Sequence, residues 1–285
     1  MRRYAVRFPC ILKRGKRMNH PANPHPLLGV LGGLGPLSSA YFYERVTAFT
    51  SAQRDQDHID IILSSRASTP DRTAYILGKS DECPLPYMIH DAKSLETYGA
   101  TALVIPCNTA HYFIHEVRRA VSIPVPSIIT ETVLYLRRNG FHKACILATQ
   151  GTISSGAYQE ELSKYGLSYM VPDRVGQEAV MDIIYGDVKK GVVPSPEKLF
   201  SAAEPSFAAG CDCAILGCTE LSLLHRNMVG SYADNRFVDS LDVLAAISIR
   251  LMGHTVVGFP DTAEPLESAR FYDQSHASEH ERSPV

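Results

Sequence analysis

No stretch of this 285-residue sequence is apolar for long enough to cross a bilayer; every hydrophobic run falls well short of the ~18 residues a spanning helix needs. A disulfide framework and a structural zinc site are missing too. The seven cysteines are odd in number and scattered, without the paired spacing that either would require. Reduced thiols in a cytoplasmic protein are the remaining reading. Nor is there a complete dinucleotide-binding loop. Gly33-Leu34-Gly35-Pro36-Leu37-Ser38 carries half of one, but serine stands for the third glycine and Pro36 removes an amide donor. The next strand then closes Leu63-Ser64-Ser65, without an acid. His111 and His115 are one helical turn apart, yet Tyr112 stands where a zinc protease needs glutamate. A structural role is expected for both, and no metal or cofactor.

Charge is balanced overall, at net −2, but not along the chain. Residues 1–17 hold Arg2, Arg3, Arg7, Lys13, Arg14, Lys16 and Arg17 with no acid. Such an arm can attract nucleic acid or a membrane surface. Lacking an apolar core or a small-residue cleavage site, it reads better as a disordered extension, or as sequence ahead of a start at Met18. Neither nucleic acid nor membrane is therefore expected as a partner. Residues 19–26, rich in proline, read as a linker, so 1–26 is set apart from the fold. Residues 254–285 are polar and aperiodic and read as a disordered tail.

Between these ends the chain is 45% hydrophobic and 20% charged over its whole length, an ordinary globular composition. It has room for one large or two medium domains. Apolar runs predict strands at 27–31, 58–63, 101–105, 123–128, 143–149, 167–171, 213–216 and 236–238. Periodic segments predict helices at 38–49 (capped by serine), within 66–77, and at 87–98 and 112–121. Further helices are predicted at 131–138, 155–165, 176–190, 195–209 and 241–252. Strands alternating with helices make this an α/β protein with parallel sheets.

The pattern occurs twice. Gly99-Ala100-Thr101-Ala102-Leu103-Val104-Ile105-Pro106-Cys107-Asn108-Thr109 is echoed by Gly210-Cys211-Asp212-Cys213-Ala214-Ile215-Leu216-Gly217-Cys218-Thr219-Glu220, with the second cysteine at the same distance from its glycine. Upstream, Leu31-Gly32-Gly33-Leu34-Gly35 leading to Ser38-Ser39-Ala40-Tyr41 is echoed by Leu147-Ala148-Thr149-Gln150-Gly151 leading to Ser154-Ser155-Gly156-Ala157-Tyr158. Two pseudo-symmetric lobes follow, 27–130 plus 239–253 and 131–238, each a mostly parallel sheet flanked by helices, with the site in the cleft between them.

Each repeat thus ends a strand with a thiol, where open parallel sheets bind substrates. A lone cysteine there is usually a small buried hydrophobe. Two in equivalent turns suit proton transfer on both faces of one carbon: a thiolate takes the proton, the opposite thiol returns one, and the stereocentre inverts. An ordinary thiol, with a pKa of ~8.5, needs turn amides and helix N-termini to ionise near neutral pH.

Residues 28–252 resemble the aspartate/glutamate racemases, the cofactor-independent two-cysteine amino-acid racemases. The resemblance rests on Gly32-Gly33-Leu34-Gly35-Pro36, Pro70-Asp71-Arg72-Thr73, Pro106-Cys107-Asn108-Thr109-Ala110-His111 and Gly217-Cys218-Thr219-Glu220-Leu221, in that order. The glutamate branch typically has histidine after the second Cys-Thr pair. Glu220 stands there in this chain and, with the Pro-Asp-Arg-Thr motif, brings it closer to the aspartate branch. The resemblance implies Cys107 and Cys218 as the acid/base pair, with Asn108, Thr109, Ala110, Thr219 and Glu220 around the substrate. It also implies Arg72 and Lys189 as carboxylate contacts, and a homodimer. A guanidinium suits a carboxylate, although Arg72 could instead pair with Asp71 at the surface. Thr152 is a further donor at the mirror position. The alternatives are another diacid enzyme of the superfamily, such as a decarboxylase or cis–trans isomerase, and a non-catalytic binder of acidic metabolites.

Overall fold

A computed structural model describes residues 25–192, 194–226 and 236–260. Residues 1–24 of the expected extension and 261–285 of the expected tail lie outside them. The first repeat forms β1 (Leu27–Gly32), α1 (Pro36–Phe49), β2 (Asp60–Ser65), α2 (Arg72–Ile76), α3 (Leu85–Tyr98), β3 (Ala102–Val104) and α4 (Ile114–Ala120). Helix α5 (Ile128–Arg138) leads into β4 (Lys143–Ala148), α6 (Gln150–Ser155), α7 (Ala157–Lys164), β5 (Ser168–Met170) and α8 (Arg174–Met181). Then come α9 (Pro196–Ala208), β6 (Cys213–Gly217), α10 (Thr219–His225), β7 (Phe237–Asp239) and α11 (Ser240–Leu251).

The strands make two sheets, ordered β2-β1-β3 and β5-β4-β6-β7, and every pairing is parallel. The repeat seen in the sequence is a repeat of topology. A hub strand, β1 or β4, has the cysteine-bearing strand, β3 or β6, on one side and the remaining strand of the unit on the other. All six residues of β1 are buried, as expected for a hub strand covered on both faces, where an unbroken apolar run replaces alternation. Gly33 then turns the chain at φ 78°, and a Cβ there would lie 2.3 Å from the Arg66 backbone nitrogen. Only glycine fits.

Helices α1, α5 and α11 lie between the sheets. Leu28 and Val30 of β1, Phe42 and Val46 of α1, Val133 and Leu136 of α5, Ile146 of β4, and Leu241 and Leu244 of α11 belong to one core. Helix α11 packs on α1 and α5, and α5 packs on α7. The outer faces have cores of their own, around Leu103 and Ile105 in the first half and Leu147 and Leu216 in the second.

Several local expectations need correction. Residues 123–128 form no strand, because Pro124 and Pro126 have no amide hydrogens for a ladder. The stretch instead accepts from Leu103 N at Pro124 O and from Arg118 Nε at Val125 O, both at 2.9 Å, before Ser127 caps α5. Helix α1 starts at Pro36 with Gly35 at its N-cap rather than a serine; proline suits the first helical position, where its missing N–H has no partner to lose. The helix expected at 155–165 is present as α7, starting after Gly156, which at φ 73° separates it from the short α6. The one at 176–190 ends at Met181, widens to a π-type turn over Asp182–Asp187 and tightens over Val188–Lys190. Residues 254–260 are docked rather than disordered. Val256 bridges Thr50, Phe259 packs on Phe49 and Tyr135, and the Tyr135 hydroxyl donates to Pro260 O at 2.9 Å. No helix among the described residues is long and apolar enough to cross a membrane.

Candidate active site

Beyond β3 the chain turns at Cys107, whose N–H donates to Ile105 O at 2.8 Å. His111 braces that turn: Nδ1 lies 2.8 Å from Cys107 O, and Nε2 accepts from Ile128 N at 3.0 Å. This pairing assigns the proton to Nδ1. Burial pulls the His111 pKa down to about 4, so the ring is neutral near pH 7. It works as a strut. Beyond β6, Cys218 occupies the N-cap of α10 in an extended conformation. Its thiol lies 2.9 Å from Glu220 Oε2. Burial pushes this thiol well above its ordinary pKa, the Glu220 carboxylate pushes the same way, and Lys189 opposes both.

Both thiols line one pocket between the two halves. Arg72 and Lys189 line it as well. The Arg72 guanidinium is buried and does not pair with Asp71. Nη1 donates to Thr69 O at 3.2 Å and Pro70 O at 2.9 Å, and Nη2 donates to Leu34 O. Nε is buried without a hydrogen-bond partner. A guanidinium fixed by carbonyls in this way retains unused donors for a carboxylate. Asp71 instead caps α2 by accepting from Ala74 N at 2.7 Å, and accepts from the Tyr185 hydroxyl at 3.1 Å.

Lys189, in the tight turn that follows the wide turn over Asp182–Asp187, lines the pocket. Its ammonium sits 2.7 Å from Glu220 Oε1 and 5.3 Å from the centre of the Tyr185 ring. Burial alone would lower its pKa. The charge of Glu220, aided by the two thiols, outweighs burial and holds it above the usual lysine range. Glu220 therefore bridges one thiol and one cation. The first repeat comes close to it across the cleft: a Cβ added to Gly35 would lie 2.9 Å from Glu220 Oε1.

The other expected site residues divide. Thr219 is buried and lines the pocket. Asn108 lines it too, but its amide is engaged elsewhere: Nδ2 donates to Ser240 Oγ at 3.0 Å, and Oδ1 accepts from the Tyr158 hydroxyl at 2.7 Å. The Thr109 hydroxyl joins those of Thr149 and Thr152 in a three-membered ring, at 3.0 and 2.9 Å, across the two halves. Thr152 is thus a lobe-to-lobe contact and is not part of the lining. Ala110 does not line the pocket either; its methyl packs in the first half's outer core. Leu34, Asp71, Thr73, Thr149 and Tyr185 also line the pocket and are not among the residues expected there. Asp71 and Thr73 flank Arg72, and Tyr185 lies four residues before Lys189.

Residues 31–247 match the family described as Asp/Glu/Hydantoin racemase. The chain belongs to that family. With membership goes the coarse activity of an amino-acid racemase. Among its relatives, the broad specificity amino-acid racemase RacX of Bacillus subtilis (strain 168) is 28% identical over 201 residues, covering 69% of this chain and 86% of that one. The glutamate racemase of Aquifex aeolicus (strain VF5) is 30% identical over 166 residues, 57% of this chain and 63% of that enzyme. Of solved structures, the Picrophilus torridus aspartate racemase superposes with a TM-score of 0.68 at 27% identity, covering 87% of this chain and 99% of that one. The family's two-sheet α/β fold is therefore also this chain's fold.

Proposed function

We propose that this chain interconverts L- and D-aspartate, with glutamate as the second candidate substrate, by proton transfer between Cys107 and Cys218. The observation that carries the reading is the convergence of two thiols, from equivalent strand ends of the two sheets, on one pocket that also holds Arg72 and Lys189. Aspartate is favoured by Glu220 in place of histidine, by the Pro-Asp-Arg-Thr motif, and by the likeness to an aspartate racemase over almost that enzyme's full length.

The two-base reaction needs one thiolate and one thiol at the start. Burial and Glu220 favour the thiol at Cys218, which gives Cys107 the part of base for the enantiomer whose α-hydrogen faces it. Cys218 then protonates the opposite face, and the parts exchange for the other enantiomer. Arg72 takes one substrate carboxylate. Lys189 takes the other as its contact with Glu220 is shared or released. Fixed cations beside the carboxylate stabilise the dianion that forms when the α-proton leaves, a kind of interaction worth on the order of 3 kcal/mol per donor in other enzymes. We further propose that the protein works in the cytoplasm as a homodimer.

Proton NMR in deuterium oxide tests this reading, with L-aspartate and D-aspartate each as sole substrate and with Cys107→Ala and Cys218→Ala alongside. The expected result is loss of the α-proton signal and of optical purity from either enantiomer, with neither variant racemising. A wild-type protein inert toward both aspartate and glutamate refutes the proposal. Turnover of malonates or maleate instead would identify another diacid enzyme of the superfamily.

A further inference from the structure

Two hydrogen bonds meet on one hydroxyl between the cysteine-bearing turns. Ser240, the first residue of α11, is fully buried. Its Oγ donates to Leu216 O at 2.7 Å and accepts from Asn108 Nδ2 at 3.0 Å. Leu216 is two residues before Cys218, and Asn108 directly follows Cys107. The hydroxyl therefore ties the end of β6 to the turn after β3. A second, fully buried hydroxyl, that of Tyr158 on α7, fixes the other end of the same amide by donating to Asn108 Oδ1 at 2.7 Å.

We infer that Ser240 is a positioning residue for racemisation, its hydroxyl setting the separation of the two thiols through Asn108 on one side and the Leu216 carbonyl on the other. This inference rests on the two-base reading proposed above. That reaction demands more of geometry than a single proton abstraction does. Removing the α-proton requires one thiolate near one face of the carbon. Inversion requires the second thiol to meet the opposite face within the lifetime of the carbanion, and misplacement by about 1 Å can cost on the order of 10²-fold. The two cysteines are carried by different sheets, so their separation depends on what joins those sheets at the site. The shared core fixes the lobes coarsely. The Leu216–Ser240–Asn108 bridge acts at the turns themselves.

The test separates positioning from folding by comparing two outputs of one reaction. In deuterium oxide, inversion is read as labelled product, and abstraction without inversion as label in the remaining starting enantiomer. Ser240→Ala is expected to lower the rate of inversion at least tenfold, with the ratio of label in starting enantiomer to label in product rising severalfold. Tyr158→Phe leaves the Ser240 side chain and its bond to Leu216 O in place; it frees the far end of the Asn108 amide and removes the Tyr158 hydroxyl from Thr132 and Ser240. It is expected to shift the ratio in the same direction by a smaller factor, so the test stands even if Ser240→Ala does not fold. In the double variant the two effects should fall short of multiplying, because both act through Asn108. Ser240→Thr, which keeps the hydroxyl, should restore the wild-type ratio. An unchanged ratio in both Ser240→Ala and Tyr158→Phe overturns the inference, whatever happens to the overall rate. A wild-type protein that neither exchanges nor inverts would remove the two-base reading, and this inference with it.

Discussion

Tyr185, from the second half, donates its hydroxyl hydrogen to Asp71 of the first, with the oxygens 3.1 Å apart at Oδ2. Both residues line the pocket, so this bond spans its wall from one lobe to the other. Burial, then the charge of Asp71, hold the Tyr185 hydroxyl well above its ordinary pKa, keeping it a donor. The same ring lies 5.3 Å from the Lys189 ammonium. Tyr185→Phe keeps the ring and removes the latch. We expect KM for aspartate to rise severalfold while kcat changes little. Thermal stability should fall by about 1.5–3 kcal/mol, the usual contribution of a hydrogen bond to a charged group. Steady-state kinetics and unfolding curves measure the two separately.

Glu220→Gln should make Cys218 more reactive. Burial and the carboxylate both push the thiol upward, and Lys189 alone opposes them. Removing the negative charge leaves burial opposed by an unpaired ammonium. In a Cys107→Ala background, alkylation of Cys218 should accelerate at fixed pH by about tenfold for each pKa unit by which the thiol falls. The pH profile of alkylation should move to lower pH. A profile that stays in place would mean that Glu220 does not govern the thiol.

Gly35→Ala tests the close approach across the cleft. Gly35 has an extended backbone, φ −163°, which any residue adopts. The added methyl would nonetheless lie 2.9 Å from Glu220 Oε1. Glu220 must shift, carrying its contacts with Lys189 and Cys218. We expect kcat/KM to fall by roughly tenfold or more, with the melting temperature within a few degrees of wild type. Assays of purified variant and a thermal melt check both.

Asp239 supplies a prediction for stability against pH. One oxygen accepts from Ser222 at 2.7 Å and Leu241 N at 2.9 Å, while Oδ2 is buried without a hydrogen-bond partner. Burial, reinforced by Asp242, raises its carboxyl to about 7. The folded state therefore holds a proton that the unfolded chain releases near pH 4, and stability is lost as pH rises from about 4 to 7. Asp239→Asn cannot ionise. It should exceed wild type by roughly 1–3 kcal/mol at pH 8, with the gain vanishing near pH 4. Urea unfolding at the two pH values decides it.

Much of this was legible in the sequence because strand–turn–helix signals are local. The apolar run before Cys107, the glycine at Gly99 and the repeat around Cys218 each specify their element within a dozen residues. Less visible was where side chains of the turns point. Asn108 and Thr109 look like substrate contacts from their place in the motif and do line the pocket, but their side chains are also held by Tyr158, Thr149 and Thr152 of the second lobe and by the distant Ser240. Nothing near residue 108 records them. The wide turn that delivers Tyr185 and Lys189 was hidden for a different reason: helical periodicity continues through it, and only the extra residue per turn changes. Residues 123–128 misled because apolar composition outweighed the missing proline amides.

The packing of α5 and α11 has a consequence for ancestry. Each is the closing helix of its repeat. They meet each other, while α11 covers α1 and α5 covers α7, the helices that follow the two hub strands. Such crosswise covering is what a two-fold homodimer presents, each copy lending one helix to its neighbour. A single repeat would leave Phe42 and Val46, or Tyr158 and Leu162, without the helix that now covers them. Duplication and fusion would have joined that pair in one polypeptide, after which the two cysteine turns were free to diverge, one acquiring Asn108 and the other Glu220.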